Sequence, residues 1–199
     1  SSTSADGALA SFVDERTANI GVLNLVTGET RMLTNYGNWN RTNGVAGMNQ
    51  ISPDGKWVVF YAGLHLGVGE LRLIRTDGSE TKVLQRGVVD NRTWPAGWTA
   101  DSKNVIGLHV FKKPDGTWQE DLDFLPVDGG PVRVWKAGLG VVRSQMRVRV
   151  SPDGRWLAYS SEAIPARVAA VEDSGRTGFV SADDSERVMG WSPDGRYLL

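Results

Sequence analysis

Ser151-Pro152-Asp153-Gly154-Arg155-Trp156 recurs, nearly letter for letter, as Ser52-Pro53-Asp54-Gly55-Lys56-Trp57 and as Ser192-Pro193-Asp194-Gly195-Arg196-Tyr197. Two eroded copies, Ser4-Ala5-Asp6-Gly7 and Thr99-Ala100-Asp101-Ser102-Lys103, complete the series. Asp6, Asp54, Asp101, Asp153 and Asp194 therefore mark a period of roughly 40–50 residues, the range of repeat architectures. The tetrapeptide has a local physical reading. Proline presets φ for the second position of a tight turn, Ser and Asp bond back to nearby amides, and Gly takes the positive-φ position where the chain reverses. Each copy lies between apolar runs, such as Met146-Arg147-Val148-Arg149-Val150 before and Trp156-Leu157-Ala158-Tyr159 after. A turn so placed joins the two strands of a hairpin. The repeated Asp is thus expected to be a turn residue rather than a metal ligand or a catalytic group.

Working outward, each unit repeats one grammar. The run after the motif is followed by a second run, a Gly turn and a third run: Trp57 to Tyr61, Glu70 to Arg75, Asp77-Gly78, then Thr81 to Leu84. The units span residues 1–46, 47–92, 93–144, 145–186 and 187–199 of a single domain, 1–199. Four short strands per unit, with no convincing helix, predict an all-β fold, a β-propeller of four-stranded antiparallel blades with about four blades and the start of a fifth. A lone twisted sheet cannot bury both faces, so blades stack on one another, which explains apolar runs without clean alternation. A β-sandwich would give no reason for the repeated tetrapeptide.

Composition narrows the function. The 199 residues carry a formal net charge of −1, so nothing in the overall balance draws the chain to nucleic acid. No apolar run is long enough to span a membrane. Cysteine is absent, which excludes disulfides and thiol chemistry. The start Ser-Ser-Thr-Ser, without Met or signal peptide, suggests a processed or trimmed N-terminus.

Gly190-Trp191-Ser192-Pro193-Asp194-Gly195-Arg196-Tyr197-Leu198-Leu199, with Gly97-Trp98-Thr99-Ala100-Asp101-Ser102-Lys103 as its eroded sister, resembles the TolB-type, WD40-like β-propeller repeat. The similarity covers essentially the whole chain. It implies that the residues just before each motif, Met146 to Val150 and Val188 to Trp191 among them, form innermost strands lining a central channel. Family propellers commonly carry more blades, so the resemblance implies part of a larger propeller. TolB itself is a periplasmic partner protein of a cell-envelope complex, and similar repeats form non-catalytic propellers of prolyl-oligopeptidase-type peptidases and bacterial sensor modules. A periplasmic or otherwise extracytoplasmic location follows from the same resemblance.

Catalytic chemistry finds little support in the residues. The histidines are His65, in a glycine-containing loop read as solvated, and His109, read as a core histidine within a strand. No Gly-x-Ser-x-Gly elbow and no phosphate-cradling Gly-Lys-Ser/Thr loop is present. Asp115, Glu120, Asp121 and Asp123 cluster, but without the twelve-residue calcium-loop spacing, and Asp121 and Asp123 alternate with Leu122 as an outward strand face would. No catalytic residue, cofactor or metal is expected.

Three arginines stand out, Arg143, Arg147 and Arg149, the last two on one face of a strand. On an innermost strand they either pair with carboxylates of a neighbouring blade or hold an anionic ligand or acidic partner segment. Tyr36, Trp39, Trp94 and Trp118 sit in segments rich in Asn, Gly and Arg and are expected as exposed loop aromatics of a protein-binding rim. The sequence reading is a non-catalytic binding or scaffold module for another protein subunit of a larger complex. Its rivals are the accessory propeller of a serine peptidase and an anion or small-ligand sensor.

Overall fold

A computed structural model describes residues 2–36, 45–63, 68–139, 146–162, 164–181 and 186–199. Among them the chain folds into sixteen β-strands, arranged as four four-stranded antiparallel sheets, and no helix. Two compact units divide it, Ser1–Pro95 and Ala96–Leu199.

The first sheet has the order β1 (Ser2–Thr3), β2 (Leu9–Asp14), β3 (Asn19–Asn24) and β4 (Thr30–Met32), and the second β5 (Val45–Ile51), β6 (Trp57–Gly63), β7 (Gly69–Arg75) and β8 (Thr81–Arg86). The third comprises β9 (Asn91–Trp98), β10 (Asn104–Lys112), β11 (Trp118–Pro126) and β12 (Arg133–Lys136). The fourth comprises β13 (Arg147–Val150), β14 (Trp156–Ser161), β15 (Ile164–Ala170) and β16 (Thr177–Val180). Every sheet is a simple meander in chain order, the pattern of a propeller blade. A fifth begins where Trp191 bridges Leu198 and Leu199 N–H donates to the Gly190 carbonyl at 2.8 Å.

Each repeated motif is the turn from the first strand of a blade to the second, and one hydrogen-bond scheme serves all five copies. The Ser or Thr hydroxyl donates to Asp Oδ1 two residues on, at 2.6 Å from Ser4, Ser52, Thr99 and Ser151 and 2.5 Å from Ser192. The hydroxyl oxygen in turn accepts the amide N–H of Leu9, Trp57, Asn104 and Trp156 at 3.0 Å and of Tyr197 at 2.9 Å. Asp Oδ1 also accepts the amide two residues on, as from Arg155 to Asp153 at 3.0 Å. Gly154 supplies φ +74°, and a Cβ there would meet Ala100 Cβ at 3.1 Å. In the eroded third copy Ser102 adopts φ +59° in glycine's place, so the scheme outlasts the residue that suits it best.

These bonds favour the ionised carboxyl. The hydroxyl first, then the amide, hold Asp6, Asp153 and Asp194 below the ordinary aspartate value. A group whose folded pKa is depressed adds stability that is present above its unfolded pKa of about 3.9 and lost as pH falls through the folded value. The thermal midpoint should therefore hold steady down to about pH 4 and fall below it. Asp6→Asn, Asp153→Asn and Asp194→Asn together should flatten that fall. An unchanged slope in the triple variant would remove the motif carboxylates as its cause.

Blades pack face to face within each unit. In the first, Ile20 and Val22 of β3 meet Ile51, Val58, Phe60 and Ile74 of the second blade, with Leu9, Val13, Leu33 and Tyr36 closing the edges. In the second, Trp135 on β12 stacks against Phe124 of β11 at 6.0 Å and meets Tyr159 of β14 edge-on at 5.9 Å. Its indole N–H donates to the carbonyls of Ala170 and Val171, at 3.2 and 2.9 Å, joining the third blade to the fourth. Ala158, Ala166 and Val168 of the fourth blade then pack on Val188, Trp191 and Leu198 of the fifth repeat.

Candidate functional site

On β13 the side chains alternate, with Val148 buried and Arg147 and Arg149 both exposed on the opposite face. Neither arginine forms an ion pair with a carboxylate among the described residues. Arg147 Nη1 instead approaches the thioether of Met189 at 2.7 Å, and Arg149 Nη1 donates to the Val148 carbonyl at 2.8 Å. Enough protein surrounds the Arg149 guanidinium that burial, and then the charge of Arg147, lower its pKa. The backbone beneath is fixed: Trp191 Nε1 donates to the Arg149 carbonyl at 3.1 Å, and Ser160 Oγ, opposite Arg147, accepts the Val188 amide at 2.9 Å. Met189, 62% exposed, lies against Arg147. Two guanidiniums on one strand face, with an accessible thioether, can take an anionic group by bidentate hydrogen bonds and pack an apolar neighbour beside it. Among the described residues, the pairing with neighbouring carboxylates that the sequence allowed is not what these two make.

The aromatics expected in exposed loops are placed otherwise. Tyr36 is half-buried against the first core, its amide bonded to Asn19 Oδ1 at 2.7 Å and its hydroxyl accepting from Arg72 at 3.2 Å. Trp94 lies within β9, half-buried under the Arg92 guanidinium at 5.2 Å, and Trp118, also half-buried, opens β11. Trp94 and Trp118 are thus strand residues, and Tyr36 packs half-buried beyond the end of β4, so none of the three is a fully exposed loop aromatic. Trp39, Arg143 and His65 lie outside the described residues.

The acidic run departs from the outward face that its alternation suggested. Glu120, Asp121 and Asp123 are all buried, Asp123 to 2% exposure, so no outward face exists there. Both faces of a middle blade strand meet protein, and alternation with Leu122 carries no information about solvent. Asp123 Oδ2 pairs with His109 Nδ1 across β10 and β11 at 3.1 Å, while Asp121 Oδ1 accepts from Gln119 Nε2 at 2.9 Å and from the Gly138 amide at 2.8 Å. His109 stacks on Phe111 at 4.7 Å. Among the described residues no three His, Cys, Asp or Glu side chains are grouped to hold a metal. The motif aspartates are spent on their own turns through Oδ1. The His109 pairing, the Trp135 bridge and the Met189 contact escape a sequence reading, since each joins residues that no motif links.

Sheets of four antiparallel strands in chain order, closed by a repeated turn, define a β-propeller. No family model and no curated protein sequence matches the chain. Solved structures do, and they give the fold its type, that of the TolB propellers. TolB from Acinetobacter baumannii is similar over 99% of this chain and 46% of its own, with a TM-score of 0.62 and 18% identity. A protein assigned as TolB from Agrobacterium tumefaciens is similar over 91% of this chain and 61% of its own, with a TM-score of 0.64 and 19% identity. An oligogalacturonate lyase, solved in complex with manganese, shares 78% of this chain and 40% of its own at a TM-score of 0.59 and 15% identity. The chain thus spans 46% and 61% of the lengths of the two TolB structures. No helix among the described residues is long and apolar enough to cross a membrane.

Proposed function

We propose that this propeller is a non-catalytic binding module that docks another protein subunit, outside the cytoplasm and within a larger complex, through the arginine-bearing face of β13. The observation that carries the reading is the exposed pair Arg147 and Arg149, which no carboxylate answers among the described residues. Like charges set side by side cost free energy unless an anion meets them, and β13 is the first strand of its blade, the position that borders the channel in a propeller. The partner segment is accordingly acidic, with an apolar residue for Met189. The TolB structures support a protein-binding role, and the lyase keeps an enzyme-associated propeller as the competing class.

Affinity capture from the native source, with the wild-type chain and with Arg147→Ala plus Arg149→Ala, tests the proposal. A stoichiometric protein should be retained by the wild type and weakened roughly 30-fold or more by the double variant, as for arginine hot spots. Capture that ignores the substitutions would overturn the assignment to β13. Thermal stabilisation of the wild type by a small polyanion, without any captured protein, would replace it with the sensor reading.

A further inference from the structure

We propose that the Asp128–Gly129 step, in the turn between β11 and β12, is a spontaneous modification site at which aspartate isomerises to isoaspartate, and that the other Asp–Gly steps are protected by a hydroxyl. The chain has seven such steps, beginning at Asp6, Asp54, Asp77, Asp115, Asp128, Asp153 and Asp194. All seven adopt one turn. The glycine has φ between +70° and +86°, and its amide donates to the carbonyl three residues back, at 2.8–3.1 Å, the longest being Gly129 to Pro126. Backbone geometry therefore does not distinguish them.

The carboxylates differ. Asp6, Asp54, Asp153 and Asp194 each accept a hydroxyl from the Ser two residues before, Asp77 from Ser79 at 2.6 Å and Asp115 from Thr117 at 2.6 Å. Asp128 has Gly130 where those two have Ser79 and Thr117. Among the described residues its carboxylate accepts only the Gly130 amide, at 3.0 Å.

In the reaction the Gly129 nitrogen, giving up its proton, bonds to Asp128 Cγ, and one carboxyl oxygen leaves as water. Water then adds to either carbonyl of the resulting succinimide and opens it to aspartate or to β-linked isoaspartate, so no atom is gained or lost overall. Attack needs the carboxyl free to turn toward the following nitrogen and protonated, so that its oxygen can leave. A hydroxyl bond opposes both. It is the first cause holding Asp6, Asp77, Asp115, Asp153 and Asp194 below the usual aspartate pKa. Glycine at the next position offers no side chain to shield the attacking nitrogen. The product adds a backbone atom to the turn that sets β12, the strand that presents Trp135.

The whole chain, aged in buffer at physiological temperature and digested for mass spectrometry that separates aspartate from isoaspartate, decides the matter. Isoaspartate should accumulate at Asp128 roughly ten-fold faster than at any other Asp–Gly step, the scale of a hydrogen bond to a charged group. Gly130→Ser should suppress it, since a Cβ there lies 3.3 Å from Asp128 Oδ1, and Thr117→Val should raise the rate at Asp115. In denaturant the differences should vanish. Equal rates in the folded wild type, or a Gly130→Ser variant that isomerises as fast as the parent, would overturn the proposal.

Discussion

Trp135→Ala is expected to destabilise the Ala96–Leu199 unit by about 3–5 kcal/mol, the range for a large aromatic removed from a packed core. Trp135 is 4% exposed and is one of the side chains through which the third blade meets the fourth. Its deletion removes the stack on Phe124 and the edge contact with Tyr159, and takes the indole donor from the Ala170 and Val171 carbonyls. Trp135→Phe keeps most of the ring area but no donor, so it should cost about 1 kcal/mol for the lost hydrogen bonds plus a smaller packing loss. Urea unfolding followed by circular dichroism measures both. If Trp135→Ala moved the midpoint no more than Trp135→Phe, the ring contacts would not be what joins these blades.

The second large effect falls on the buried pair. His109→Ala leaves the Asp123 carboxylate without the partner of its Oδ2, while Oδ1 accepts no hydrogen bond. Removing the partner of a buried acceptor costs about 1–3 kcal/mol, because the group left behind stays out of water. The diagnostic is the double variant. Adding Asp123→Asn to His109→Ala replaces the stranded carboxyl and should recover part of the loss, a coupling read from a double-mutant cycle in the same urea titration. Strictly additive losses would mean that the two side chains merely fill space.

The architecture was legible because it is written locally. Proline, glycine and an Asp that bonds its own turn specify each hairpin within a few residues, and five copies fix the repeat. The two eroded copies keep the hydroxyl and the carboxylate, the atoms that make the hydrogen bonds; both lose the proline, and the one at Asp101 loses the glycine as well. The site was legible only in part. Arg147 and Arg149 stood out as charges on an inner strand, yet what they touch depends on Met189, from the next repeat. The burial of Glu120, Asp121 and Asp123 could not be read, since a strand covered on both faces has no solvent side for its alternation to report. Trp94 and Trp118 misled for the converse reason: polar neighbours in sequence suggested loops, while both residues lie on strands, and Tyr36, beyond β4, packs half-buried against the first core. All these depend on packing between distant segments, which periodicity does not encode.

Hydrogen–deuterium exchange on the whole chain, free and bound to its captured protein partner, addresses the binding role most directly. Formation of the complex should slow exchange over Arg147–Val150 and around Met189, and the protection should be lost when Arg147 and Arg149 are both alanine. Protection confined to other blades, with β13 exchanging as fast as in the free chain, would contradict the assignment.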